Sequence, residues 1–103
     1  MSIIKTNDGF SIAGDVTFDN VVALRDHGID IISHQSHCII DLQNMKNTNA
    51  VSIALLLAWI RAAHHSQTTI TLTQASQNLH SMIEAFNLQN IAIIQPIPRP
   101  RRF

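Results

Sequence analysis

The chain has 103 residues, 46% of them hydrophobic, with seven Lys+Arg against seven Asp+Glu. That length and composition fit one domain with a packed core and argue against disorder. The balanced charge supplies no overall field toward nucleic acid or anionic lipid, and the single cysteine, Cys38, excludes an intramolecular disulfide.

Ile3 to Thr6 and the alternating residues 10–16 (FSIAGDV) read as two strands joined through Asn7-Asp8-Gly9, an Asp-Gly hairpin turn. The N-terminus lacks a basic segment followed by an apolar run, so no secretory leader is expected. Thr17 is placed to cap a helix through FDNVVALRDHGIDIIS, where Val21, Leu24, Gly28 and Ile31 or Ile32 recur at helical spacing. Gly28 in that helix costs up to about 1 kcal/mol relative to alanine, which marks close packing or an early break. Residues 37–42 (HCIIDL) form a short apolar strand of the central kind. A polar loop over Gln43 to Thr48 is expected to follow it.

The next helix, residues 47–65 (NTNAVSIALLLAWIRAAHH), is apolar nearly all the way round. At about 100° per residue, Ile53, Leu56, Leu57 and Ile60 share one face, the expected sheet-facing stripe. Val51, Leu55, Ala58 and Ala62 cluster opposite, with Trp59 on the flank. Leaving that second face in water costs on the order of 25 cal/mol per Å² of apolar surface. Either a neighbouring helix or a protein partner is expected to cover it, and the partner is the preferred reading. Residues 69–73 (TITLT) alternate as a strand, and Ser76 caps a third helix whose core face is Leu79, Met82, Ile83 and Phe86. Ile91 to Ile94 is a last strand before Pro96.

The order β-β-α-β-α-β-α-β predicts an α/β fold: a mixed, mainly parallel sheet of about five strands with packed helices and right-handed crossovers. It is expected to fill residues 1–97 as a single domain. Residues 98–103, with Arg99, Arg101 and Arg102, are expected to form a disordered tail. No apolar run approaches the ~20 residues that span a bilayer, so a cytoplasmic location is expected.

Little in the sequence points to catalysis. His34 and His37 are spaced i,i+3 and His64-His65 are adjacent, but neither set brings the three or four convergent ligands of a zinc site. They read as surface and helix-end histidines. Cys38 reads as a small buried hydrophobe rather than a nucleophile. There is no G-x-S-x-G elbow, phosphate-binding glycine loop or paired-carboxylate motif. No enzymatic activity, metal or cofactor is expected.

Three segments in this order resemble a STAS domain, the fold of anti-sigma-factor antagonists and sulfate-transporter tails. Residues 13–28 (AGDVTFDNVVALRDHG) are similar to the entry G-x-[LV]-T-F-x-x-[VA] of the MlaB-type, lipid-asymmetry group. Residues 52–65 (SIALLLAWIRAAHH) resemble that group's G-L-A-L-L-L run, and residues 79–88 (LHSMIEAFNL) its third helix. The resemblance spans about residues 8–95. It implies a non-enzymatic cytoplasmic subunit that binds the ATPase of an ABC-type phospholipid transporter, and through it the permease. A self-associating patch is also compatible with it.

The implied partner-binding residues are Thr48, Asn49, Ala50, Val51, Ser52, Leu55 and Trp59, with Asp15, Thr17 and Arg25 on the neighbouring edge. STAS domains commonly read D-[ST]-[SG]-G-L before this helix, the hydroxyl serving as a phosphorylation or contact site. Here Asn49, Ala50, Val51 and Ser52 occupy that stretch, so Ala50 stands at the hydroxyl position. A phosphate-driven switch of the anti-sigma type is the alternative that this departure disfavours.

Overall fold

The computed structural model describes residues 2–46, 49–85 and 93–94. Strands β1 (Ser2–Thr6) and β2 (Gly9–Gly14) form an antiparallel hairpin, Thr6 lying opposite Gly9 across Asn7 and Asp8. Helix α1 (Val21–Ser33), β3 (His37–Met45), α2 (Ala50–His65), β4 (Thr69–Thr73), α3 (Gln77–Ala85) and β5 (Ile93–Ile94) follow. The strands make one five-stranded sheet in the order β1-β2-β3-β4-β5, and each pair after the hairpin is parallel. This is the mixed, mainly parallel sheet that the sequence predicts.

Strand alternation sets the core. Phe10 and Ile12 of β2, Cys38, Ile40 and Leu42 of β3, and Ile70 and Leu72 of β4 are buried. Ser11, Ile39 and Asp41, which interleave with them on the other face, are only partly covered. Leu24, Ile31 and Ile32 of α1, Ile53, Leu56 and Ile60 of α2, and Leu79 and Ile83 of α3 join those strand residues in one core cluster.

Two local expectations are corrected. Gln43, Asn44 and Met45, expected in a polar loop, belong to β3. Between Ser11 and Ala13 of β2 the partners jump from Asp41 to Asn44, so β3 takes up an extra residue there. The Asp41 carboxylate accepts from the Gln43 amide at 2.9 Å, steadying that bulge. The second correction concerns Thr17, which does not cap α1 with its hydroxyl. Its carbonyl accepts from the Asn20 and Val21 amides, and the helix starts only at Val21.

Other features agree. Leu24, Gly28, Ile31 and Ile32 are the buried residues of α1, which runs on past Gly28 without a break. The Ser76 hydroxyl accepts from the Leu79 amide at 3.1 Å, and Leu79 and Ile83 seat α3 on the core. Phe86, Ile91, Arg99, Arg101 and Arg102 lie outside the described residues. No helix among the described residues is long and apolar enough to cross a membrane.

Candidate protein-binding site

The β2–α1 and β3–α2 loops leave the sheet side by side at the carboxyl ends of two parallel strands. The Lys46 amide donates to the Gly14 carbonyl at 2.9 Å, tying the loops together at their root. Gly14 has φ 94°, a left-handed backbone that glycine adopts without strain, and there the chain turns out of β2. Beyond it, the Asn20 side chain accepts from the Thr17 amide at 2.8 Å and donates to the Asp15 carbonyl at 3.0 Å. Asp15 and Thr17 are exposed on this short, closed turn.

The start of α2 is built by a reciprocal cap. Asn49 accepts from the Ser52 amide at 2.9 Å, while the Ser52 hydroxyl accepts from the Asn49 amide at 2.9 Å and donates to the Asn49 carbonyl at 2.8 Å. Two orphan helix amides are thereby satisfied, which is why Asn and Ser sit three residues apart here. The same bonds take the Ser52 hydroxyl out of solvent; the residue is 0% exposed. Ala50 is exposed at the first turn and Val51 is partly covered. Thr48 lies outside the described residues.

The structure corrects the assignment of faces on α2. Leu55 is 1% exposed and Trp59 0%, so neither presents a side chain to a partner. Their face is covered by α1, the alternative that the sequence left open. The Trp59 indole donates from Nε1 to the Arg25 carbonyl at 3.2 Å, lies over Gly28, and meets the Phe10 ring edge-to-face at 5.0 Å. Leu57, assigned to the sheet-facing stripe, is instead only partly buried, together with Val51, Ala58 and Ala62. The outward arc of α2 is Ala50, Ala54 and Arg61, bordered by these partly covered residues.

Arg25 is exposed beside this surface, its guanidinium on Asp26 at 3.0 Å. Sequence reasoning missed Phe18, which stands 84% exposed on the β2–α1 turn. An aromatic just before a helix reads as core, and only the turn geometry reveals that it points outward.

The histidines are dispersed. The His34 ring is 2.7 Å from the Asp30 carbonyl, the His37 ring 3.4 Å from the Thr71 hydroxyl, and the His80 ring 3.1 Å from Glu84. No metal-ligating cluster occurs among the described residues. Burial, and secondarily the Asp8 carboxylate, push the Cys38 thiol up to about 11, so it stays protonated at neutral pH. An open cleft lined by Met45, Lys46, Ser76, Gln77 and Asn78 adjoins the α3 cap, but the Ser76 hydroxyl already occupies the Leu79 amide there.

The family model described as "Mlab, STAS domain" matches residues 5–96. The chain is a STAS domain. No curated protein matches it at a significant level by sequence. In fold, this STAS domain is similar to a proposed anti-sigma factor antagonist of Thermotoga maritima, TM1081. The crystal structure of that protein superposes with TM-score 0.72 at 11% identity, over 90% of this chain and 83% of that one. Its NMR structure gives TM-score 0.72 at 11% identity, with 90% and 78% covered. The anti-sigma factor antagonist SpoIIAA in its unphosphorylated form gives TM-score 0.70 at 11% identity, covering 94% of this chain and 88% of that one. Likeness at such identity concerns the STAS fold alone.

Proposed function

We propose that this STAS domain is a non-enzymatic, cytoplasmic subunit that docks on the ATPase of an ABC-type phospholipid transporter and supports its assembly or activity in outer-membrane lipid asymmetry. Through the ATPase it is held at the inner membrane beside the permease. The family match supports the transporter setting. The observation that carries the mode of contact is the start of α2. Ala50 is exposed where the family pattern has a hydroxyl, and the nearby Ser52 hydroxyl is buried inside the helix cap. Such a surface suits a constitutive contact made by Asp15, Thr17, Arg25, Asn49, Ala50 and Val51 rather than one switched by phosphate.

The test is affinity purification of the tagged chain with its host's transporter ATPase, using Ala50→Glu as the disrupting variant. Ala50 is exposed, so the variant folds normally and loses the ATPase. An Ala50→Glu chain that retains it counts against the surface, and an unmodified chain that never captures the ATPase refutes the function. The fold shared with anti-sigma factor antagonists favours a second reading, binding to a kinase-like anti-sigma factor. Incubation with such a kinase and ATP separates the two, because phosphate incorporation at Ser52 or Thr48 supports only the second.

A further inference from the structure

Among the described residues, the large hydrophobic side chains that stand well out in water are Ile4, Phe18 and Val22. Phe18 is 84% exposed, and Val22, one turn further on, is 54% exposed. An exposed phenylalanine on a loose segment would carry no meaning, but this segment is fastened. Val16, two residues earlier, is 1% exposed, and the Thr17 carbonyl takes the Asn20 and Val21 amides at 3.3 and 2.9 Å. The Asn20 side chain bonds to both Thr17 and Asp15. The aromatic ring is therefore held out from a preformed turn, and little backbone freedom is left to lose on docking.

Charge around the ring narrows the occupant. Asp15 and Asp19 are exposed on either side of it, and neither has an ion-pair partner among the described residues. No Lys or Arg lies between positions 15 and 22, and Arg25 is already on Asp26. Lys46 meets the turn through its amide, on the Gly14 carbonyl, and its ammonium pairs with no carboxylate among the described residues. An anionic lipid surface would be repelled by the two free carboxylates. A second copy meeting across a two-fold axis would set Asp15 and Asp19 against themselves. A protein pocket that is apolar inside and basic at its rim satisfies both the ring and the carboxylates.

We propose that Phe18, backed by Val22, anchors the domain in an apolar pocket of its partner protein, whose rim carries Lys or Arg side chains facing Asp15 and Asp19. The proposal rests on the reading of the chain as an ATPase-binding subunit, and it adds the anchoring residue and the chemistry of the opposing surface. Inserted aromatics at the centre of an interface carry a disproportionate share of affinity, while flanking charges act mainly on encounter.

The experiment measures binding kinetics of the purified chain on the transporter ATPase at low and high salt. Phe18→Ser should weaken affinity at least tenfold, chiefly through faster dissociation, with an unchanged Tm because the ring touches little of its own domain. Phe18→Lys, which places a cation before the basic rim, should bind more weakly still. Asp15→Asn and Asp19→Asn should slow association and flatten its salt dependence. Affinity within twofold of the unmodified chain for both Phe18 variants overturns the proposal. Phe18-dependent self-association in sedimentation, or Phe18-dependent retention on phosphatidylglycerol vesicles without an effect on the ATPase, also overturns it. If Ala50→Glu abolishes binding while the Phe18 variants do not, the anchor fails and the functional reading stands. If the unmodified chain does not bind the ATPase, both fail.

Discussion

Gly28→Ala tests how α1 and α2 are held together. Gly28 is buried in α1, and a Cβ added there would lie 2.7 Å from Trp59 Cζ2 and closer still to Nε1 and Cε2. Carbon atoms pack at about 3.5–4.0 Å, so the indole or the helix must move by roughly 1 Å. The indole has little room, because Trp59 is 0% exposed, holds the Arg25 carbonyl at 3.2 Å and abuts the Phe10 ring. Overpacking of this kind costs about 1–3 kcal/mol, and a strained or broken Nε1 bond adds about 1–3 kcal/mol. Replacing a helical glycine by alanine returns up to about 1 kcal/mol. The expected net loss is about 1–5 kcal/mol, centred on about 3 kcal/mol, which is equivalent to a Tm lower by roughly 10–25 °C in a domain of this size. Urea unfolding followed by fluorescence measures it directly, since Trp59 is the chain's single tryptophan. In a Trp59→Leu background the same substitution should cost far less, the two sites being in contact. A Gly28→Ala chain as stable as the parent or more so would refute the packing argument, because helix propensity alone would then decide the sign.

Leu55→Asp should abolish cooperative unfolding, since it buries a carboxylate at a site 1% exposed, whereas Ala54→Asp on the outward arc should leave the circular dichroism spectrum and Tm nearly unchanged. Asn49→Ala and Ser52→Ala should each lower stability by about 1 kcal/mol in denaturant titration, and the double variant by less than the sum, because the two side chains form one reciprocal cap. Raising pH should destabilise the fold between about 9 and 11: the Cys38 pKa is raised on folding, so the stabilising difference is complete below 9 and lost as the folded thiol approaches about 11. Cys38→Ala should remove that part of the alkaline decline, and native-state alkylation of Cys38 at pH 8 should proceed only at the rate of unfolding.

The strands and α3 were legible because their signals are local. TITLT alternates over its whole length, and Ser76 stands three residues before the amide it caps. Gly28 also announced itself, as a helical glycine in need of a reason. The faces of α2 were not legible, since a helix apolar on most sides gives a small angular preference and its neighbours choose which arc is buried. Covering Leu55 and Trp59 required α1 to approach closely, and the approach depends on a missing Cβ one helix away in the chain. Thr17 misled for a related reason: its position before the helix was right, but Asn20 could close the turn with both ends of its amide. The continuation of β3 through polar Gln43 and Asn44 depends on a register jump opposite β2, which no single strand encodes.

The order of the strands across the sheet is their order along the chain. No strand has to slip between two that are already paired. As the polypeptide leaves the ribosome, the β1–β2 hairpin has its partner at once, and each later strand adds at the same growing edge after its preceding helix has emerged. Each new parallel pairing then closes a segment of roughly twenty to thirty residues rather than the whole chain, which keeps the loop-closure cost of each step similar. The strand order thus allows synthesis from the N-terminus and assembly of the sheet to run in the same direction.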